Sequence, residues 1–120
     1  MKALVAILAM LLLAHSAAAE PPGGVSAVER GGTVATGGTA VTIAKNLGRK
    51  GGWIQNPCDA SEDLFVSFTG TATTTSGTPN DADLEPCQSM TLGGAAGAFT
   101  GAVSINAATS GHKFQAMELQ

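Results

Sequence analysis

The chain has 120 residues, with nine acidic against six basic side chains, a formal net charge of −3 and only 12% charged residues. That length holds one small domain with a single core. The cations are scattered, with no basic stripe to release counterions from a polyanion, so no nucleic-acid partner is expected.

The N-terminus reads as an export signal. Lys2 supplies a positive start, Ala3 to Ala14 form an unbroken apolar run, and Ala17-Ala18-Ala19 offer the small residues that signal peptidase accepts, with cleavage before Glu20. The apolar run is about a dozen residues long where a bilayer span needs about 20, so residues 1–19 are expected to leave as a signal peptide and no membrane span to remain. The first cysteine is Cys58, too far along to become a lipidated N-terminus. The mature protein is therefore expected in the periplasm or outside the cell.

Residues 20–38 follow with Pro21-Pro22-Gly23-Gly24, Gly31-Gly32 and Gly37-Gly38, a density of breakers that predicts a flexible leader. From residue 39 the pattern changes to short β-branched and aromatic runs between turn residues. Val41 and Ile43 flank Thr42 with a period of two. Lys45, Arg49 and Lys50 around Asn46 and Gly48 read as a solvated turn. Trp53-Ile54-Gln55 stops at Asn56-Pro57, because proline cannot donate to a ladder.

Leu64, Val66 and Phe68 alternate with Phe65 and Ser67, the strongest strand signal in the chain, and Phe65 must pack on the second side or at an edge. The threonine-rich run Thr69 to Thr78 either continues that strand or forms its return. Asn80 to Pro86 is polar and acidic, Ser89 to Leu92 is a short strand, and Gly93 to Gly97 reads as a flexible link. Val103 to Asn106 alternates, Ser110-Gly111 turns, and Phe114, Ala116 and Glu118 alternate with Gln115 and Met117. About six short strands without an amphipathic helix predict an all-β domain over 39–120, a small antiparallel sandwich or jelly-roll-like barrel.

Cys58 and Cys87 are the only cysteines, and export places them where an oxidised pair persists. One disulfide is expected between them. It closes a loop of about 30 residues, worth about 3.5 kcal/mol in the chain-entropy account.

Groups for catalysis are scarce. Outside the export signal His112 is the single imidazole, it follows a turn glycine, and tyrosine is absent, so the chain is expected not to be an enzyme. The glycine-rich runs lack GxGxxG and GKS/GKT signatures, so no cofactor is expected. Asp81, Asp83 and Glu85 place carboxylates at alternate positions, like half of a calcium loop, but Pro86 and Leu92 stand where such a loop needs glycine and a bidentate glutamate. No metal site is therefore assigned. Those three acids and Trp53, as a platform for a sugar ring, are the candidate contacts for a ligand or partner; a calcium- or carbohydrate-binding domain is the alternative function.

Ile54-Gln55-Asn56-Pro57, then Asp63-Leu64-Phe65-Val66 with Phe68 and Gly70, then Gly101-Ala102-Val103-Ser104-Ile105-Asn106-Ala107, then Gly111 and Phe114-Gln115-Ala116 form a series running from about Val41 to Glu118. In that order they resemble a group of small β-rich proteins encoded among the structural genes of tailed bacteriophages. The resemblance implies a non-enzymatic virion accessory of the decoration or fibre-associated kind, with no catalytic residues to carry over. A signal peptide and a cysteine pair depart from that pattern and fit such a module recruited to the cell surface or periplasm. The expected role is an exported structural or interaction module with a protein or surface partner, homo-oligomerisation included.

Overall fold

The longest strand, His112–Leu119, organises the molecule. In the computed structural model, which describes residues 24–77 and 79–120, its side chains alternate strictly between inside and outside: His112, Phe114, Ala116 and Glu118 are buried, while Lys113, Gln115 and Leu119 are exposed. The segment expected to be a signal peptide and the first residues of the expected leader, 1–23, lie outside the described residues.

Eleven strands and no helix occur among the described residues: β1 (Ala27–Glu29), β2 (Gly32–Val34), β3 (Val41–Ile43), β4 (Gly51–Gln55), β5 (Leu64–Ser67), β6 (Ala82–Leu84), β7 (Ser89–Thr91), β8 (Gly93–Gly94), β9 (Gly97–Ala98), β10 (Val103–Asn106) and β11 (His112–Leu119). Sheet one runs β1-β11-β4-β7, with β2 also paired to β11; sheet two runs β3-β10-β5-β6. Every pairing is antiparallel. The fold is the expected all-β sandwich tied by one disulfide, Cys58–Cys87.

All six strands expected from the alternation are present, and five more accompany them. Two lie inside the segment expected to be a flexible leader, which corrects its boundary at residue 38. Ala27 pairs Leu119 and Val34 pairs His112 in one unbroken register, so β1 and β2 form a single edge strand of sheet one, interrupted only at Arg30-Gly31. Neither triplet is long enough to persist alone; the eight-residue template of β11 recruits them. The expected flexible link, Gly93 to Gly97, contains β8 and the first residue of β9, a two-residue ladder in which Gly93 pairs Ala98. The acidic run contains β6, placed because Leu84 is buried opposite Leu64.

The core lies between the sheets. Val34, Ile54, Phe114 and Ala116 of sheet one meet Ile43, Leu64, Val66, Val103 and Ile105 of sheet two. β5 and β10 are buried at every position, so they are covered on both faces. The second cover is formed by residues 68–77 and 79–81, which fold across the outer face of sheet two. Ser104 Oγ accepts the Ala72 N–H (2.9 Å), Asn106 Nδ2 donates to Ala72 O (2.9 Å), and Ser67 Oγ donates to Pro79 O (2.6 Å). The threonine-rich run therefore neither continues β5 nor returns as a strand beside it: among its described residues it is a strap.

Candidate functional site

Two buried polar clusters sit at opposite ends of β11, about 20 Å apart at the rise of an extended strand. Phe114 and Ala116 separate them.

At the first end His112 lies on the inner face of β11, 8% exposed. It follows a turn glycine yet is not itself in the turn: Gly111 makes the turn with φ +82°, and the ladder to Val34 begins at the next residue. Asn56 Nδ2 donates to Glu62 O (2.8 Å) and Leu84 O (2.8 Å), which leaves Asn56 Oδ1 to accept from His112 Nε2 (2.9 Å). His112 Nδ1 faces Glu62 Oε1 at 3.2 Å, and the same carboxylate accepts from the Thr109 N–H (2.9 Å) and hydroxyl. Burial by itself would push the Glu62 carboxyl up; the Thr109 hydroxyl and amide and the charge and hydrogen bond of His112 outweigh it and hold the group below its usual value. An open depression of about 300 Å³ lies over this cluster, between Pro57, Ser61, Thr109 and His112. Ser110 Oγ points elsewhere, accepting the Gly37 N–H (2.9 Å). A general base needs a ring nitrogen facing its substrate, and both nitrogens of His112 face protein acceptors.

At the second end Glu118 is fully buried. Its carboxylate accepts from Arg49 Nε (2.8 Å) and Nη2, from Arg30 Nε (3.0 Å) and from Asn46 Nδ2 (3.1 Å). Desolvation opposes the charge, but these donors and the Arg49 guanidinium prevail and hold the carboxyl below its usual value. Arg49 also donates to Phe99 O (2.6 Å), Gly101 O (2.9 Å) and Ala44 O (3.1 Å), so one guanidinium ties the chain after β3 to the chain before β10. The solvated turn read around Lys45, Arg49 and Lys50 holds for the two lysines, which are exposed, and is corrected for Arg49, only 3% exposed.

The ligand candidates do not converge. Trp53 is half-buried on β4, opposite Thr91 and Met117, and faces away from the core because its neighbour Ile54 is buried within it. Asp81 and Asp83 lie on the outer face of sheet two, and Glu85 is exposed in the turn after β6. Asp81 is engaged structurally: its Oδ2 accepts the Phe68 N–H (2.6 Å) and clasps the two ends of the strap. Asp83 Oδ1 is buried without a hydrogen-bond partner. No three histidine, cysteine or carboxylate side chains gather into a metal-binding group among the described residues.

Near these acids the exposed strap is held by side-chain hydrogen bonds. Asn80 Oδ1 accepts the Thr73 N–H (2.9 Å), and Asn80 Nδ2 donates to Thr73 O (3.1 Å) and Thr75 O (2.8 Å). Thr69, Thr71, Thr73, Thr75 and Ser76 are thereby exposed on a hydrogen-bonded frame. Beyond it, Cys87 occupies the third position of the turn Glu85-Pro86-Cys87-Gln88 with φ +70°, closed by the Gln88 N–H on Glu85 O (2.9 Å). Proline second and a left-handed third residue define a type II turn, a place that favours glycine; here the disulfide holds a cysteine in it.

The alternation of Glu118 with Phe114 and Ala116 is a legible sign that this carboxylate points inward, and a buried carboxylate needs a cation. That its partner is Arg49 has no sequence signal. Comparison with protein-family models, with curated proteins and with solved structures finds no match to this chain in any of the three.

Proposed function

We propose that this chain is an exported, non-enzymatic interaction module: a disulfide-tied β-sandwich that presents a fixed surface to a protein or surface partner, in the manner of the phage virion accessories it resembles. The strap carries this reading. Asn80, Asp81, Ser104 and Asn106 hold 68–81 against sheet two, so its exposed hydroxyls are ordered before any partner arrives, and little ordering entropy opposes binding. The engagement of both His112 nitrogens by Asn56 and Glu62 supports a structural use of the one imidazole in the described chain.

The test is capture from envelope and virion fractions by the wild-type protein and by a Thr73→Lys/Thr75→Lys variant. A partner held by the first and lost by the second is the expected result. Equal capture by both overturns the strap as the contact surface, and turnover of any substrate that depends on His112 overturns the non-enzymatic reading. Export is read separately from intact mass: a chain beginning at Glu20 whose two thiols appear only after reduction.

One observation favours a second reading. The orphaned Asp83 Oδ1 is an acceptor that a calcium ion could satisfy at the acidic edge. Calorimetry with calcium on wild type and Asp83→Asn decides it, since heat seen with both or with neither removes Asp83 as a ligand.

A further inference from the structure

We propose that two copies of this chain pair through the free edge of β3, antiparallel about Thr42, so that sheet two runs continuously from one copy into the other. This deepens the reading of the domain as an interaction module by naming a second copy as one partner, and it does not depend on the strap.

The sandwich has two flanks. On one, β6 and β7 are joined by the short turn that carries Cys87, and Asn56 at the end of β4 holds both sides of that turn: its Nδ2 donates to Leu84 O (2.8 Å), its N–H donates to Gln88 O (2.9 Å) and its O accepts the Cys87 N–H (3.0 Å). Its edge strand β6 also carries Asp83, the kind of in-strand charge that discourages further pairing. On the other flank the edge of sheet one, β1 and β2, is broken at Arg30-Gly31 and bears Glu29 and Arg30. The edge of sheet two on that flank is β3, and it has no such protection. From Gly37 to Ala44 there is neither charge nor proline. A groove of about 410 Å³ opens beside it, with Val41, Ile43 and Phe114 in its lining and the charged pair Glu29 and Arg30 on its β1–β2 side.

The sequence of this edge says what fits there. Ala40-Val41-Thr42-Ile43-Ala44 reads nearly the same in both directions about Thr42. An isologous contact requires each patch to complement itself. With the two-fold axis at Thr42, alanine faces alanine, Val41 faces Ile43 of the second copy, and threonine faces threonine; β-branched and Thr–Thr pairs are favourable cross-strand neighbours. Val41 and Ile43 point to the core side and Thr42 is exposed, so the apolar pairs meet above the groove while the hydroxyls meet at the surface. Moving the axis to Ile43 sets Lys45 against Val41, which penalises the slipped register. So short an edge buries less than the ~1,200 Å² of stable specific interfaces, and the pair is accordingly weak and concentration-dependent.

Sedimentation and light scattering across a concentration series test this on the recovered protein. The expected mass rises from one chain toward two, and Thr42→Lys, which sets two ammonium groups face to face on an exposed position, abolishes the rise without altering the unfolding transition. Directly opposed residues in an antiparallel pair have Cα atoms about 4.5 or 5.5 Å apart, either of which a disulfide spans. Thr42→Cys should therefore oxidise to a covalent dimer with Cys58–Cys87 intact, while Ser89→Cys on the edge strand β7 should not. A single-chain mass at every concentration, a dimer indifferent to Thr42→Lys, or equal cross-linking at Ser89 overturns the proposal. The capture experiment with the strap variant reads the interaction-module proposal independently of all three outcomes.

Discussion

Arg49 and Glu118 show how much one residue can hold in a domain with so few charges. The guanidinium donates to a buried carboxylate and to three backbone carbonyls. Removing one partner of such a pair leaves the other charged and desolvated, which costs about 3–5 kcal/mol, whereas replacing both with apolar groups costs less. Arg49→Met should therefore lower stability by about 3–5 kcal/mol by denaturant unfolding, and Arg49→Met with Glu118→Leu should recover part of that loss. Recovery will be partial, because Phe99 O, Gly101 O and Ala44 O stay without their donor. Full additivity of the two single losses would show that the pair is not coupled.

At the scale of elements, the strap and the disulfide act at different places. Cys58 and Cys87 bracket the turns beside β4 and β7, while the strap is pinned at Ala72 by Ser104 and Asn106 of β10. Reduction should loosen the turns around residues 56–63 and 85–89 first and leave the Ala72 amide protected. Ser104→Ala should do the reverse: it strands the Ala72 N–H, lowering stability by about 1–3 kcal/mol and opening the strap locally. Hydrogen exchange on the reduced protein and on the variant separates the two, and loss of Ala72 protection on reduction would show that the covalent link holds the strap.

Across the whole molecule, two carboxylates make the stability of this fold depend on pH in the acid range. Glu62 and Glu118 are both held below their usual value of 4.5, so the unfolded chain takes up protons on these groups before the folded one does. Their stabilisation is complete above about 4.5 and is lost as pH falls through the lower folded values. The midpoint of urea unfolding should hold steady from neutral pH to about 5, then fall. Glu118→Gln should begin less stable and fall less steeply, and a wild-type slope unchanged by that substitution would remove Glu118 from the acid response. The two carboxylates anchor opposite ends of β11, so acid should weaken the polar contacts at both ends of that strand.

The sequence by itself determined the class of the fold, the disulfide and the six principal strands, because a period of two and the placement of glycine and proline are local properties of the chain. Leu64, Val66, Val103, Ile105, Phe114 and Ala116 were readable as core from alternation alone. Tertiary structure decided the rest. The triplets β1 and β2 exist because β11 templates them, and β6 because Leu84 is buried where it pairs with Leu64. The described residues of 68–81 form a strap because Ser67, Ser104 and Asn106 offer it hydrogen bonds from a sheet that must also be closed on that side. His112 and Arg49 went inward for the same reason: partners 50 and 69 residues away satisfied them. Long-range pairing of polar groups leaves no periodic trace in a sequence, and only the folded chain shows which donor meets which acceptor.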